Sequence, residues 1–194
     1  VNPHGRAGVP AALLMARWWT RPTVDEIARW GELWPEARRA AQALEIDHRV
    51  IDELQGASAH ADPELMLEEY ERLLVGPGRA PCAPYESLWR SDLPEQEQGS
   101  LMGSAADAIE RVYAELGVQL QNGAHELPDH LLVEWEALAC ALDRGADEPA
   151  DVLLNDHLSM WMAPFCEAVA QETNEMFYVT LAGLTQTWTA ALAR

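Results

Sequence analysis

Positive charge is what this chain has least of: 13 Lys and Arg stand against 32 Asp and Glu, a formal net charge of −19. Nucleic acids and anionic membranes attract proteins largely through phosphates that Lys and Arg neutralise, so the imbalance excludes both as partners. It attracts a cationic partner instead and speeds the encounter, or it simply keeps the protein soluble. Cysteine is also scarce. The three residues, Cys82, Cys140 and Cys166, are odd in number and widely spaced. That excludes a disulfide framework and a zinc knuckle and suits a reducing cytoplasm. Cys140 and Cys166 fall in apolar helical patterns and are expected to be buried small hydrophobes. No apolar run approaches the ~20 residues that span a bilayer, so no stable membrane insertion is expected. The opening "VNPHGRAGVPAALLMARWW" is too short in its apolar part and badly flanked for a cleavable signal. The Arg38-Arg39 pair is internal and helical, which is the wrong place for an export signal.

β-Branched residues are sparse, and nearly every segment repeats at helical rather than alternating spacing. A first helix is expected over "PAALLMARWW". Thr23 and Glu26 stand at capping-box spacing, and Pro35 suits a first helical turn. Ala37, Ala40, Ala41, Leu44, Ile51 and Leu54 form a stripe that breaks at Asp47-His48. Asp62 caps the next helix, with Pro63 at its first position and Leu67, Tyr70 and Leu74 on one face. "GPGRAPCAP" then stops it and makes a rigid loop leading into the polar "YESLWRSDLPEQEQGS". Helicity resumes at Ser104, with Asp107 at cap-like spacing, and ends at Gly117. Pro128 fits the opening turn of a helix whose apolar face is Leu131, Leu132, Trp135, Leu138 and Leu142. "RGADEPAD" has the composition of a loop. Leu154, Leu158, Trp161, Phe165 and Val169 form a further stripe, kinked or broken at Pro164, and "NEMFYVTLAGLTQTWTAALA" closes the chain. The expected architecture is all-α, a compact single-domain helical bundle over residues 1–194.

The polar cluster His125, Glu126, Asp129 and His130 has the residue types of a metal site or an acid–base pair. With the second "DHL" triplet, Asp156-His157, it raises the question of zinc. Adjacent helical residues point about 100° apart, however, and no H-E-x-x-H or E-x-x-H pair is present. The bland alternative puts both aspartates in first helical turns, with the histidines packed nearby. Ser87 and Ser159 lack a G-x-S-x-G context, and "GPGRAP" lacks the Lys-Ser/Thr ending of a phosphate loop. No catalytic residue, metal or cofactor is therefore assigned. Among the tryptophans, Trp161 and Trp188 lie on core stripes. Trp89, in the polar loop, is expected to be partly exposed and to suit peptide docking, or to fold back onto the bundle.

Three stretches in order, "YERLLVGPGRAPCAPYESLW" (70–89), "HELPDHLLVEWEAL" (125–138) and "LLNDHLSMWMAPFCEAV" (153–169), resemble the TorD/DmsD/NarJ-type chaperones that mature molybdenum-containing oxidoreductases. The resemblance implies an all-helical cytoplasmic protein that is not an enzyme. It would bind the twin-arginine leader of its partner's catalytic subunit and hold back export until cofactor is loaded. Gly76, Pro77, Pro84, Tyr85 and Ser87 match the family's glycine-proline turn and the aromatic after it. Glu126, Pro128, Asp129 and His130 match its acidic, Pro, Asp-His pattern, which is implicated in leader binding. His157, Trp161 and Phe165 match as well, the last two with a structural part. The spacing of "ELPDH" differs from the "E-P-x-D-H" form of some members and stands closer to the nitrate reductase and dehydrogenase branch. The loop carries Leu-Val where many members have Leu-Phe, and residues 1–65 match nothing position by position.

The peptide-binding set expected from these readings is Tyr85, Ser87, Trp89, Glu126, Pro128, Asp129 and His130, with Gly76, Pro77 and Pro84 shaping the loop. The expected partner is the catalytic subunit of a molybdenum oxidoreductase with its leader, bound by a monomer or dimer. The alternatives are a metal- or nucleotide-dependent hydrolase using the Asp-His pairs, and a helical adaptor for another basic partner. A leader is a cationic segment followed by an apolar one, and carboxylates on an apolar groove suit both halves. Asp129 and Glu126 would pair with its arginines, and His130 would tune binding with pH. Asp129→Asn is then expected to lower leader affinity at low salt, measured with a labelled peptide; unchanged affinity refutes the ion pair.

Overall fold

The computed structural model describes residues 5–76, 78, 80–119 and 127–194, and among these it is all-α. In chain order the helices are α1 (Val9–Trp19), α2 (Val24–Arg29), α3 (Trp34–Ala43), α4 (Arg49–His60) and α5 (Pro63–Tyr70). They continue with α6 (Ser104–Leu116), α7 (Leu131–Arg144), α8 (Asp147–Val152), α9 (Ser159–Glu172) and α10 (Met176–Leu192). A π-helical turn, Glu71–Val75, extends α5, and a second, Leu153–Leu158, joins α8 to α9.

The centre of the bundle is α1 against α7, its most extensive helix–helix contact. Ala11, Ala12 and Ala16 on α1, and Ala137 and Ala141 on α7, are all buried. α1 also buries Leu14, Met15, Trp18 and Trp19, and a helix apolar on most of its sides belongs in the interior. α10 is buried along most of its length although it carries several threonines. Thr185 and Thr189 each donate to the carbonyl four residues back at 2.8 Å, so their hydroxyls enter the core already satisfied. Trp19 Nε1 donates to Thr185 Oγ1 at 2.9 Å, a second use of the same hydroxyl.

Aromatic rings link these layers. Trp18 stacks on Trp34 at 5.5 Å, Trp30 on Phe177 at 4.7 Å, and Trp19 and Trp161 both tilt onto Phe165. The expected stripes are buried: Ala37, Ala40, Ala41, Leu44, Ile51 and Leu54, and Leu154, Leu158, Trp161, Phe165 and Val169. One apolar cluster runs from Ala11 to Leu192.

Local signals also held at three helix ends. Thr23 accepts from Glu26 N while Glu26 reaches back to Thr23 N, a complete capping box. Asp62 accepts from Glu64 N and Leu65 N at 2.9 and 3.3 Å. Gly117 ends α6 at φ 65°.

Several local expectations are corrected. Residues 147–151 of the expected loop "RGADEPAD" are helical, because Pro149 sits in the first turn of α8, where its missing N–H costs nothing. Ser104 does not cap α6; Glu97 does, accepting from Ser104 N at 2.9 Å from the preceding loop. Pro128 lies before α7 rather than in its first turn, and His130 is the cap. Asp156 is in the π turn between α8 and α9, not in a first turn. That turn shifts the helical register, and α9 then runs on through Pro164. On α5 the buried residues are Met66 and Tyr70, with Leu67 only half-buried, and the π turn after it buries Leu73 and Leu74.

The cap at Asp62 holds the helix that carries Tyr70 and Glu71. Asp62→Ala is expected to lower the free energy of unfolding by about 1 kcal/mol, and Asp62→Asn by much less, because Asn also caps. Urea denaturation of the three proteins distinguishes the cap from a general loss of surface charge, which both substitutions share.

Candidate functional site

Residues 84–87 and 129–131, distant in sequence, run side by side. Tyr85 and His130 form an antiparallel bridge. Leu131 N donates to Pro84 O, and Glu86 N to Asp129 O, both at 2.9 Å. The Asp129 carboxylate adds a third tie, Oδ2 accepting from Ser87 N at 3.1 Å. Tyr113 Oη, from α6, donates to Pro128 O at 2.8 Å and holds the turn from beneath. His130 Nδ1 accepts from Leu132 N at 3.1 Å, so in this arrangement its ring proton is on Nε2. The rings of Tyr85 and His130 meet edge to face at 5.0 Å.

Upstream, Gly76 turns the chain back at φ 58°, and an added Cβ there would lie 3.2 Å from Ala80 Cα. Glycine suits both the conformation and the close approach. Cys82 N then donates to Leu73 O at 2.9 Å, closing the loop onto the end of the α5 extension.

Behind this bridge lies a polar cluster that sequence reasoning largely missed. Glu86 is fully buried, with Oε1 2.7 Å from Arg90 Nη1 and Oε2 2.8 Å from His157 Nδ1. Arg90 also donates from Nη1 to Asp156 O at 2.7 Å and from Nε to Asp92 Oδ1 at 2.8 Å. Those carboxylates raise its pKa further, with the hydrogen bonds to Asp92 contributing most.

Glu134, also fully buried, accepts from Trp161 Nε1 at 3.1 Å through Oε2. Burial pushes its pKa well above the usual carboxylate range, and the neighbouring Glu86 and Asp129 charges push the same way. Among the described residues, Glu134 Oε1, Asp129 Oδ1 and Ser87 Oγ have no hydrogen-bond partner. The acid form of Glu134 brings a donor hydrogen to this otherwise acceptor-rich group. Glu134 had a signal in the sequence: it falls between Leu131, Trp135 and Leu138 on the apolar stripe of α7, where a carboxylate is out of place. Glu86 and Arg90 stand at helical i,i+4 spacing in a stretch that reads as loop, and nothing local marks them as buried.

His157 of the second "DHL" triplet is committed to Glu86, while Asp156 is exposed. Among the described residues no group of three or more His, Cys, Asp or Glu side chains is placed to hold a metal ion.

In front of the bridge is an open groove of about 780 Å³. Leu74, Val75, Ala83, Leu88 and Leu101 give it apolar walls, and Tyr85 and His130 line one side. Val75 and Leu101 are half exposed at its rim. Arg21 and Glu71, ion-paired to each other, are its other charged residues among those described.

Of the residues expected to bind peptide, Tyr85 and His130 therefore face the groove, as does Pro84. Asp129, Ser87 and Pro128 are buried behind it. Trp89 is half-buried, with Nε1 on Ala83 O at 2.8 Å and its ring against Phe165 at 5.7 Å. Glu126 and Pro77 lie outside the described residues, as does His125.

Comparison with known proteins bears on the same region. Residues 33–167 match the family model of the nitrate reductase delta subunit. The chain is 24% identical to the Tat proofreading chaperone DmsD of Salmonella paratyphi A, over 85% of this chain and 74% of that protein. It is 25% identical to the chaperone protein TorD of Shewanella loihica, over 75% of this chain and 83% of that one. These near-equal identities do not single out a branch. A crystal structure described as that of a redox enzyme maturation protein from Archaeoglobus fulgidus superimposes with a TM-score of 0.64 at 21% identity. The match covers 96% of this chain and 94% of the other, and it shows the fold.

The raised pKa of Glu134 sets a pH dependence. An acid whose native pKa exceeds its unfolded value, here 4.5, stabilises the fold fully below that value, and the contribution is lost as pH rises through the native pKa. Glu134→Gln keeps an acceptor for Trp161 and cannot ionise. The variant is expected to lose less Tm than the parent between about pH 5 and about pH 9. Parallel Tm profiles would show that Glu134 is ionised throughout.

Proposed function

Because the chain belongs to the TorD/DmsD/NarJ-type chaperone family, matched over residues 33–167 by its nitrate reductase delta subunit model, we propose that it is a client-specific chaperone rather than an enzyme. It binds the twin-arginine leader or the apo catalytic subunit of a molybdenum oxidoreductase in the cytoplasm. There it assists cofactor insertion and withholds export until maturation is complete. The Salmonella and Shewanella relatives named above are chaperones, the first of them for Tat proofreading.

The observation that carries this reading is the groove beside the Tyr85–His130 bridge. Its walls are apolar, its mouth is charged, and it opens on a protein of net charge −19. A leader presents arginines followed by an apolar stretch, and the two halves need a carboxylate and a dry surface respectively. A volume of about 780 Å³ accommodates a few side chains rather than a whole leader, so the groove reads a short segment at the junction of the two halves.

Tyr85 and His130 contact that segment. Ser87, Pro128 and Asp129 act from behind, by fixing the backbone that presents these two rings, and Trp89 props the loop on Phe165. Gly76 and Pro84 shape the wall, and Glu126 and Pro77 are assigned by the family pattern alone. Residues 1–194 serve as one domain in this reading, supported by the apolar cluster that reaches from α1 to α10. Among the described residues no helix is long and apolar enough to cross a membrane.

A fluorescent peptide carrying Arg-Arg and a following apolar run is expected to bind in solution, and Tyr85→Ala to weaken it by about tenfold, as loss of a central aromatic does. Binding should persist at about 0.15 M salt, where attraction between exposed charges is largely screened beyond about 8 Å. Equal binding of any basic peptide, abolished by salt, would reduce the protein to an acidic adaptor.

A further inference from the structure

We propose that Arg21 occupies, in the unliganded protein, the place that a leader arginine takes on binding: Glu71 is the acceptor carboxylate of the groove, and Arg21 is its tethered stand-in. The inference rests on the leader-binding reading and names the residue that recognises the guanidinium.

Three observations lead to it. First, Glu71 supplies the one carboxylate among the described residues that line the groove, in a chain with 32 Asp and Glu. Asp129, which the sequence marks for this role, is fully buried and turned to the Ser87 amide. A guanidinium entering the groove therefore meets Glu71.

Second, Glu71 is already in contact with a guanidinium, since Arg21 Nε donates to its Oε1. The arrangement is held from the backbone. Tyr70, next to Glu71, donates from its hydroxyl to Trp19 O at 3.1 Å, two residues before Arg21, while Thr20 Oγ1 closes α1 on Ala16 O at 2.7 Å.

Third, both side chains are open to solvent, Arg21 60% and Glu71 41% exposed. An exposed pair of this kind contributes little to stability, so exchanging its cation costs little. A peptide lying in the groove covers the carboxylate, and the lowered local dielectric strengthens the new pair.

The consequence is selectivity. A tethered competitor acts at an effective concentration on the order of millimolar. A partner must then bring a guanidinium together with an apolar stretch that pays for displacing Arg21. A lysine supplies a point charge without the bidentate fork and is a weaker challenger.

The test measures dissociation constants of an Arg-Arg leader-type peptide and its Gln-Gln counterpart for the full chain and for Arg21→Gln, Glu71→Gln and the double variant. Thermal melts establish that each folds; Arg21→Ala serves as a second variant at that position. Arg21→Gln is expected to bind the Arg-Arg peptide about threefold more tightly, with the Gln-Gln peptide unchanged. Glu71→Gln is expected to weaken the Arg-Arg peptide by about tenfold and to level the two peptides. The double variant should behave as Glu71→Gln alone. If the parent prefers Arg-Arg and the variants bind both peptides as the parent does, the exchange is refuted and the leader-binding reading stands. If the parent binds neither peptide, the leader-binding reading fails and the exchange with it.

Discussion

The pairing of residues 84–87 with 129–131 is the constraint on which the rest of the site depends. It is a short antiparallel contact in an otherwise helical protein, made of two backbone hydrogen bonds and the Asp129–Ser87 tie. Because Glu86 and Ser87 are fixed there, the Glu86 carboxylate points inward to Arg90 and His157 and Tyr85 lines the groove. The same contact sets the start of α7, since His130 is both a partner in the bridge and the cap of that helix. Loop wall, helix start and polar cluster are thus one mechanical unit.

Burying several carboxylates under that unit is costly, and the fold meets the cost in two ways. Glu86 is compensated by partners: the Arg90 guanidinium lies on one oxygen and the His157 ring on the other. At Glu134, burial first and two neighbouring carboxylates after it favour the acid form over the charged one. Removing one partner from such a cluster leaves a buried group unpaired, which destabilises more than the intact interaction stabilises. The cluster consequently resists change while the groove in front, lined by exposed aliphatic side chains and a weak ion pair, is free to be exchanged. That division suits a fold that is kept at 21% identity to the maturation protein from Archaeoglobus fulgidus.

Much of the fold was legible because local physics and tertiary packing agreed. The stripe Leu154, Leu158, Trp161, Phe165, Val169 is buried as its spacing requires, and the caps at Thr23 and Asp62 formed as written. Local signals failed where a group from elsewhere in the chain took over. Glu97 displaced Ser104 as the cap of α6, and a π turn put Asp156 mid-helix rather than at a start. The functional site was legible by type but not by direction. "DHLL" singled out residues that the structure divides, His130 toward the groove and Asp129 toward Ser87, and residue type by itself does not say whether a carboxylate faces inward or outward.

By itself the sequence determined the class of structure, the helices and most of their core faces, the acidity, and the three ordered blocks that place the chain in its family. Periodicity, capping and composition are properties of neighbouring residues, so they survive in one dimension. Only the tertiary structure decided that Asp129 serves Ser87, that Glu134 is buried against Trp161, and that Arg21 stands against Glu71 across a groove. Each of those depends on two segments approaching from far along the chain, and the energy of a charged group is set by what surrounds it in space rather than by what precedes it in sequence.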